Sequence, residues 1–211
     1  MKYVLRLRAK FSLYQRQEAK TGEVIYNMRD INFEDDQIIW KILKEHTEES
    51  KELQRMVVSS VDENLRPQVR TMILRAVEHK TKSLYFYTDA RSPKIKQWQK
   101  NQFCQVLAYS PRELLQLRFT AKAEVWQSGE LYQSAKSGLK EHQWRDYSSL
   151  LAPGSDYDAA LKSSSDKLNF ALVQIKVEQM EILKLLPKAQ EHLRYSFNYE
   201  KKNEFPKRLV P

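Results

Sequence analysis

Hydrophobic spacing changes character near residue 55. Between residues 33 and 53, Ile38, Ile39, Ile42 and Leu43 repeat at three- and four-residue intervals, which predicts a helix with one apolar face. Asn32 stands where an N-cap belongs, and Glu34, Asp35 and Asp36 put negative charge at the positive end of the helix dipole. From Met56 onward the period shortens to two or the runs become solidly apolar. Strands are predicted over Met56–Val61, Gln68–Val77, Ser83–Thr88, Gln102–Tyr109 and Leu115–Trp126, with the turn-forming Asp62-Glu63-Asn64 after the first. Ser92-Pro93 starts a short helix between the third and fourth strands: serine suits the cap, and proline suits the first helical position.

Residues 128–150 read as polar helix anchored by Leu131, Leu139 and Trp144. Ala152–Ser165, with Pro153, Gly154 and three consecutive serines, reads as loop or short helix. Phe170–Val177 and Met180–Leu186 are expected to be two separate strands. Leu193, Tyr195, Phe197 and Tyr199 alternate with polar residues as one more. Sequential strands with short connections predict a mainly β (α+β) antiparallel barrel carrying peripheral helices. Residues 1–30 are expected to be an N-terminal extension, an appendage rather than a targeting signal, and 31–211 the barrel domain.

Composition narrows the chemistry. The 211 residues include only four glycines, none near another, so the glycine-clustered dinucleotide fingerprint and phosphate loop are excluded. One cysteine excludes an intramolecular disulfide and a thiolate zinc cage. No metal site is expected from four scattered histidines, and no apolar run is long enough for a spanning helix. The net charge of +9 sits at the ends: residues 1–27 and 184–211 each carry about +4, while the body is nearly neutral. A neutral body argues against nucleic acid as a partner, because nucleic-acid proteins carry their cations on the folded surface. Cys104, inside the apolar run FCQVLAY, reads as a buried inert thiol.

Three segments set anion-binding groups beside apolar strands. Arg70-Thr71-Met72-Ile73-Leu74-Arg75 places Arg70, Met72 and Leu74 on one face and Thr71, Ile73 and Arg75 on the other. Tyr87-Thr88 leads into Arg91-Ser92-Pro93-Lys94, which gathers a hydroxyl, two cations and a helix N-terminus suited to a phosphate dianion. Gln116-Leu117-Arg118 opens the long strand with an amide and a guanidinium on one face.

In order and spacing, RPQVRTMILR, LYFYTDARSPK, QVLAYS and LLQLRFTAKAEVW resemble the pyridoxamine 5′-phosphate oxidase-related family of flavin mononucleotide (FMN)-binding split barrels. The resemblance is strongest from Leu53 to Trp126 and continues weakly through HLRYSFNY and FPKRLVP. It implies a six-stranded FMN-binding split barrel, a cytoplasmic homodimer, and FMN sites at the subunit interface. Carried over, Arg70 holds the FMN phosphate, and Thr71, Met72, Ile73 and Leu74 lie along the flavin. Tyr87 and Thr88 flank it, Arg91, Ser92 and Lys94 supply a phosphate motif, and Gln116 reaches in from the second subunit. Arg75, a basic position in the family, and Arg194 become candidate substrate contacts, and no catalytic residue is assigned.

Departures from the biosynthetic oxidase are specific. Pro93 stands where that enzyme carries an arginine, and His192-Leu193-Arg194 reverses its Arg-x-His order. No counterpart of its tyrosine, arginine and serine substrate clamp occurs in 128–150. The expected function is therefore an FMN-dependent oxidoreductase of unknown substrate. The alternative is a non-catalytic flavin- or haem-binding barrel.

Overall fold

A computed structural model describes residues 17–18, 24–25, 32–48, 52–156, 167–188, 191–201 and 205–211. The expectations for the basic segment before Arg16 and for the serines at 163–165 fall outside these residues. A two-residue ladder, β1 (Gln17–Glu18) with β2 (Val24–Ile25), is described within the extension. Helix α1 (Gln37–Glu48) and a 3-10 turn (Glu52–Gln54) precede β3 (Arg55–Val61), β4 (Pro67–Glu78) and β5 (Ser83–Asp89). Helix α2 (Pro93–Lys100), β6 (Phe103–Ser110) and β7 (Leu115–Trp126) follow. Then come α3 (Glu130–Ser137), α4 (Glu141–Asp146), β8 (Phe170–Lys184), β9 (Leu193–Asn198) and β10 (Lys207–Leu209).

Strands β3 to β8 close into a six-stranded antiparallel barrel in the order β8-β5-β4-β3-β6-β7, with β7 pairing back onto β8. Strands β9 and β10 extend the sheet outward from β8. Closure leaves the ladder few open edges, and alternation sends every second side chain inward. Met56, Val58, Leu74, Phe86, Val106, Leu117, Phe119 and Ile182 fill the interior. Leu74 and Phe86, with no exposed surface, each contribute roughly 1.5–3 kcal/mol by burial. Ile39, Ile42 and Leu43 of α1 join this core, as their spacing predicts, while Ile38 is partly buried against it; Trp40, outside the predicted set, and Ile95 and Trp98 of α2 join it too.

Four expectations are corrected. Helix α1 begins at Gln37 rather than at residue 33, and Asn32 caps a preceding turn by accepting the Glu34 N–H at 3.0 Å. Asp35 accepts the Gln37 N–H at 2.9 Å instead. The two strands expected over 170–186 are one 15-residue strand. Thr120 and Ala121 of β7 face Gln179 and Val177, so Glu178 is an extra residue bulged from the ladder. The bulge moves the inward set from odd to even positions (Val173, Ile175 and Val177, then Met180 and Ile182), which mimics a break in a one-dimensional pattern.

Residues 128–150 are helical as expected, in two helices, but the expected anchors are only partly right. Leu139 is buried, but Leu131 and Trp144 are exposed, and Tyr132 and Tyr147 are the anchors that pack with Leu139 on Phe170 and Leu172. Finally, Arg75 is itself a bulge: Leu74 faces Phe86 and Ala76 faces Tyr85, so Arg75 drops out of the alternation assigned to it.

Candidate functional site

Strand β4 and the β5–α2 junction bring four of the sequence-nominated residues into one cradle. Arg70 is half-buried at the barrel end, directly across from Val58. Its Nη1 donates to the Val58 carbonyl at 3.1 Å, its Nη2 to Gln97 Oε1 at 3.3 Å, and its guanidinium lies 5.7 Å from the Trp98 ring centre. Trp98 is fixed in turn by donating its Nε1–H to the Ser59 carbonyl at 3.2 Å. Lys94 Nζ donates to Thr88 Oγ1 at 3.0 Å.

Among the described residues, neither Arg70 nor Lys94 has a carboxylate within ion-pair distance. Burial first, and then the nearby Arg70 charge, hold the Lys94 ammonium below the ordinary lysine range, with Asp89 opposing. Burial alone pulls Arg70 down. Two cations thus share a partly desolvated corner where an anion would relieve both penalties. Beside them, the Ser92 hydroxyl is buried, has no hydrogen-bond partner and makes no side-chain cap at the start of α2. A buried hydroxyl without a partner marks a place where an acceptor is missing.

Arg91 is engaged elsewhere. It donates to Asp89 through Nε at 3.0 Å and Nη2 at 2.7 Å, and to the carbonyls of Ser149, Leu150 and Leu151 at 2.9–3.1 Å. It clamps the loop after α4 onto the end of β5 and neutralises Asp89, the carboxylate nearest the cradle in sequence.

A second group lies under α3 and α4. Arg75 lies 5.7 Å from the Tyr87 ring centre with its charge near the Tyr147 phenol, while its Nε is buried without a partner. Tyr87 and Tyr147 pack against Phe170 at 5.1 and 5.5 Å between ring centres, and burial raises both phenols above their ordinary range. Met72 and Leu74 are interior, whereas Thr71 is exposed and Ile73 partly exposed on the outward face.

Gln116 and Arg194 are not brought to either group within one chain. Both are registered against Leu183, on β7 and β9 respectively. Arg194 gives Nε and Nη2 to Glu181 Oε2 at 3.1 and 2.6 Å, and Arg118 takes the other oxygen of that carboxylate. Two hollows, of about 180 and 280 Å³, lie near β9 and β10 and include no residue of the cradle. Cys104 is buried as expected: burial pushes its thiol up to about 12, and Sγ rests 3.6 Å from the Ala121 carbonyl.

Ser60, Gln97, Trp98 and Tyr147 were not nominated from the sequence. Gln97 and Trp98 stand three and four residues after Lys94, so helical spacing could have set them on the same side of α2. Tyr147 carries no comparable signal.

A closed six-stranded antiparallel barrel with a few peripheral helices defines the class, a split-barrel protein. Residues 36–127 match the family model described as "Pyridoxamine 5'-phosphate oxidase, FMN-binding domain". Among solved structures, the chain is similar to a pyridoxamine 5'-phosphate oxidase-related, FMN binding protein from Nostoc punctiforme. The identity is 19% and the TM-score 0.70, covering 86% of this chain and 100% of that one. It is also similar to PhzG from Burkholderia lata, solved in complex with tetrahydrophenazine-1-carboxylic acid, at 13% identity and a TM-score of 0.68, covering 90% and 98%. A third is a Clostridium acetobutylicum protein related to general stress protein 26 of B. subtilis, at 13% identity and a TM-score of 0.52, covering 76% and 96%. At these identities the likeness shows the fold. No curated protein matches the chain. No helix among the described residues is long and apolar enough to cross a membrane.

Proposed function

We propose that this chain is an FMN-dependent oxidoreductase that works as a homodimer. The observation that carries the reading is the Arg70–Lys94 pair: two partly buried cations without a carboxylate among the described residues, next to the unpartnered Ser92 hydroxyl at the start of α2. That donor set fits a phosphate dianion, with Thr88 fixing Lys94. Met72 and Leu74 keep β4 seated in the core while its backbone, with Thr71 and Ile73, is left to line the ring. Arg75 and Tyr87 offer a cation and an aromatic wall at the far end of the same strand pair. When bound, FMN would supply the hydride-accepting chemistry, and the chain supplies binding, orientation and electrostatics.

Dimerisation is supported by the outward face of the barrel. Val57, Val69, Phe103 and Tyr109 are 39, 69, 56 and 45% exposed there. An apolar surface of that kind on a soluble barrel calls for a cover. Tyr109 faces Gln116 across the β6–β7 ladder, so a second copy on this face would meet Gln116. The lone, buried Cys104 accords with a reducing, cytoplasmic setting.

The test is direct. Protein purified with flavin should be yellow and release FMN on denaturation, and should sediment as a dimer. Its reduced flavin should be reoxidised by oxygen or an added acceptor. Pyridoxamine phosphate and a reduced phenazine carboxylate are the first substrates to try. A colourless monomer with no affinity for added FMN refutes the proposal, and a yellow dimer that never turns over leaves a storage or sensing module.

A further inference from the structure

Among the described residues Arg70 has two acceptors, the Val58 carbonyl and Gln97 Oε1, and both are uncharged. Gln97 Oε1 also accepts the Ser60 hydroxyl at 2.5 Å, and Ser60 is fully buried. The amide oxygen is therefore held by two donors from neighbouring strands, β3 and β4, and fixes the guanidinium beside Lys94. A glutamate would fit the same space and accept the same two hydrogen bonds. It would also neutralise Arg70 and lower the demand for an external anion. The other nearby carboxylate, Asp89, is already occupied by Arg91.

We propose that Gln97 is a specificity-determining positioning residue: it orients Arg70 through a neutral acceptor, so the Arg70–Lys94 pair keeps the positive charge that selects a phosphorylated ligand over its dephosphorylated form. The inference rests on the reading of this cradle as the FMN phosphate site. It predicts where selectivity resides, not only affinity. FMN and riboflavin share the ring and differ in the phosphate, so their affinity ratio isolates the cradle from the ring pocket.

The test compares the full-length wild-type protein with Gln97→Glu and Ser60→Ala by titration with FMN, riboflavin and inorganic phosphate. In Gln97→Glu, FMN affinity should fall about tenfold or more while riboflavin affinity stays within about twofold, because a charge-assisted contact to the dianion is weakened. Ser60→Ala, which keeps Gln97 neutral, should retain most of the FMN preference. Riboflavin binding doubles as the folding control, since a misfolded variant loses both flavins. If wild type prefers FMN and Gln97→Glu prefers it equally, the role of Gln97 is refuted and the cradle assignment stands. If wild type binds inorganic phosphate but neither flavin, the FMN reading falls, and the phosphate affinities of the two variants still decide the role of Gln97. If wild type binds neither flavin nor phosphate, both fall.

Discussion

Replacing Lys94 with methionine should move stability and ligand affinity in opposite directions. Among the described residues Lys94 has one hydrogen-bond partner, the neutral Thr88 Oγ1, and a like charge nearby in Arg70. Burial and that charge both disfavour the ammonium. Methionine is unbranched like lysine, one heavy atom shorter, and carries no charge, so the apo protein should lose no stability and gain up to about 1 kcal/mol. Thr88 loses a donor but keeps its place in the β5–β8 ladder, opposite Ala171. The bound state responds the other way. One charge-assisted contact to the phosphate is removed, worth roughly 1.5–3 kcal/mol, or about a 10- to 150-fold loss of FMN affinity. Urea denaturation of flavin-free protein gives the first quantity, and flavin fluorescence quenching gives the second. A variant that is clearly destabilised in the apo form yet binds FMN as tightly as wild type would refute the cradle as an anion site.

The same lysine sets a pH dependence. Its folded-state value lies below the ordinary one, so its charge disappears as pH rises through that lowered value; FMN affinity should decline at a lower pH than an unperturbed lysine would give, and Lys94→Arg should abolish the decline. Asp36 should govern acid stability: burial raises it, but hydrogen bonds from Lys82 and Tyr199 and the charges of Lys82 and His79 outweigh that and leave it lowered. Its stabilisation is present above the ordinary carboxylate value and is lost as pH falls through the lowered one, and Asp36→Ala should cost about 3 kcal/mol at neutral pH by chemical denaturation. Arg91→Met should release the 149–151 loop, measured as faster proteolytic cleavage there, and leave the buried Asp89 uncompensated at a cost of about 3 kcal/mol. Val57→Glu on the outward face should shift sedimentation toward monomer while leaving the far-ultraviolet spectrum unchanged.

Period and punctuation in the sequence are enough to specify β3 to β7, α2 and the buried face of α1, because each is a local pattern whose preference agrees with its final place. The motif around Arg70, Thr88, Ser92 and Lys94 was legible for the same reason: a strand end followed by serine and proline is a local instruction to start a helix. The continuity of β8 was not legible. The extra residue at Glu178 inverts the alternation, and only the ladder to β7 shows the two halves to be one strand. Nor could spacing show that Arg91 turns to the 149–151 carbonyls, since those partners lie 58 to 60 residues away along the chain. Tyr147 in place of Trp144 as an anchor on Phe170 was equally hidden, because two short helices divided at Gly138 present different faces from a single periodic run. What the chain determined by itself is which segments are strands and which carry cations. The closed barrel decided which of those cations stand together without a counter-charge, because that depends on which neutral and acidic groups the folding of distant segments brings beside them.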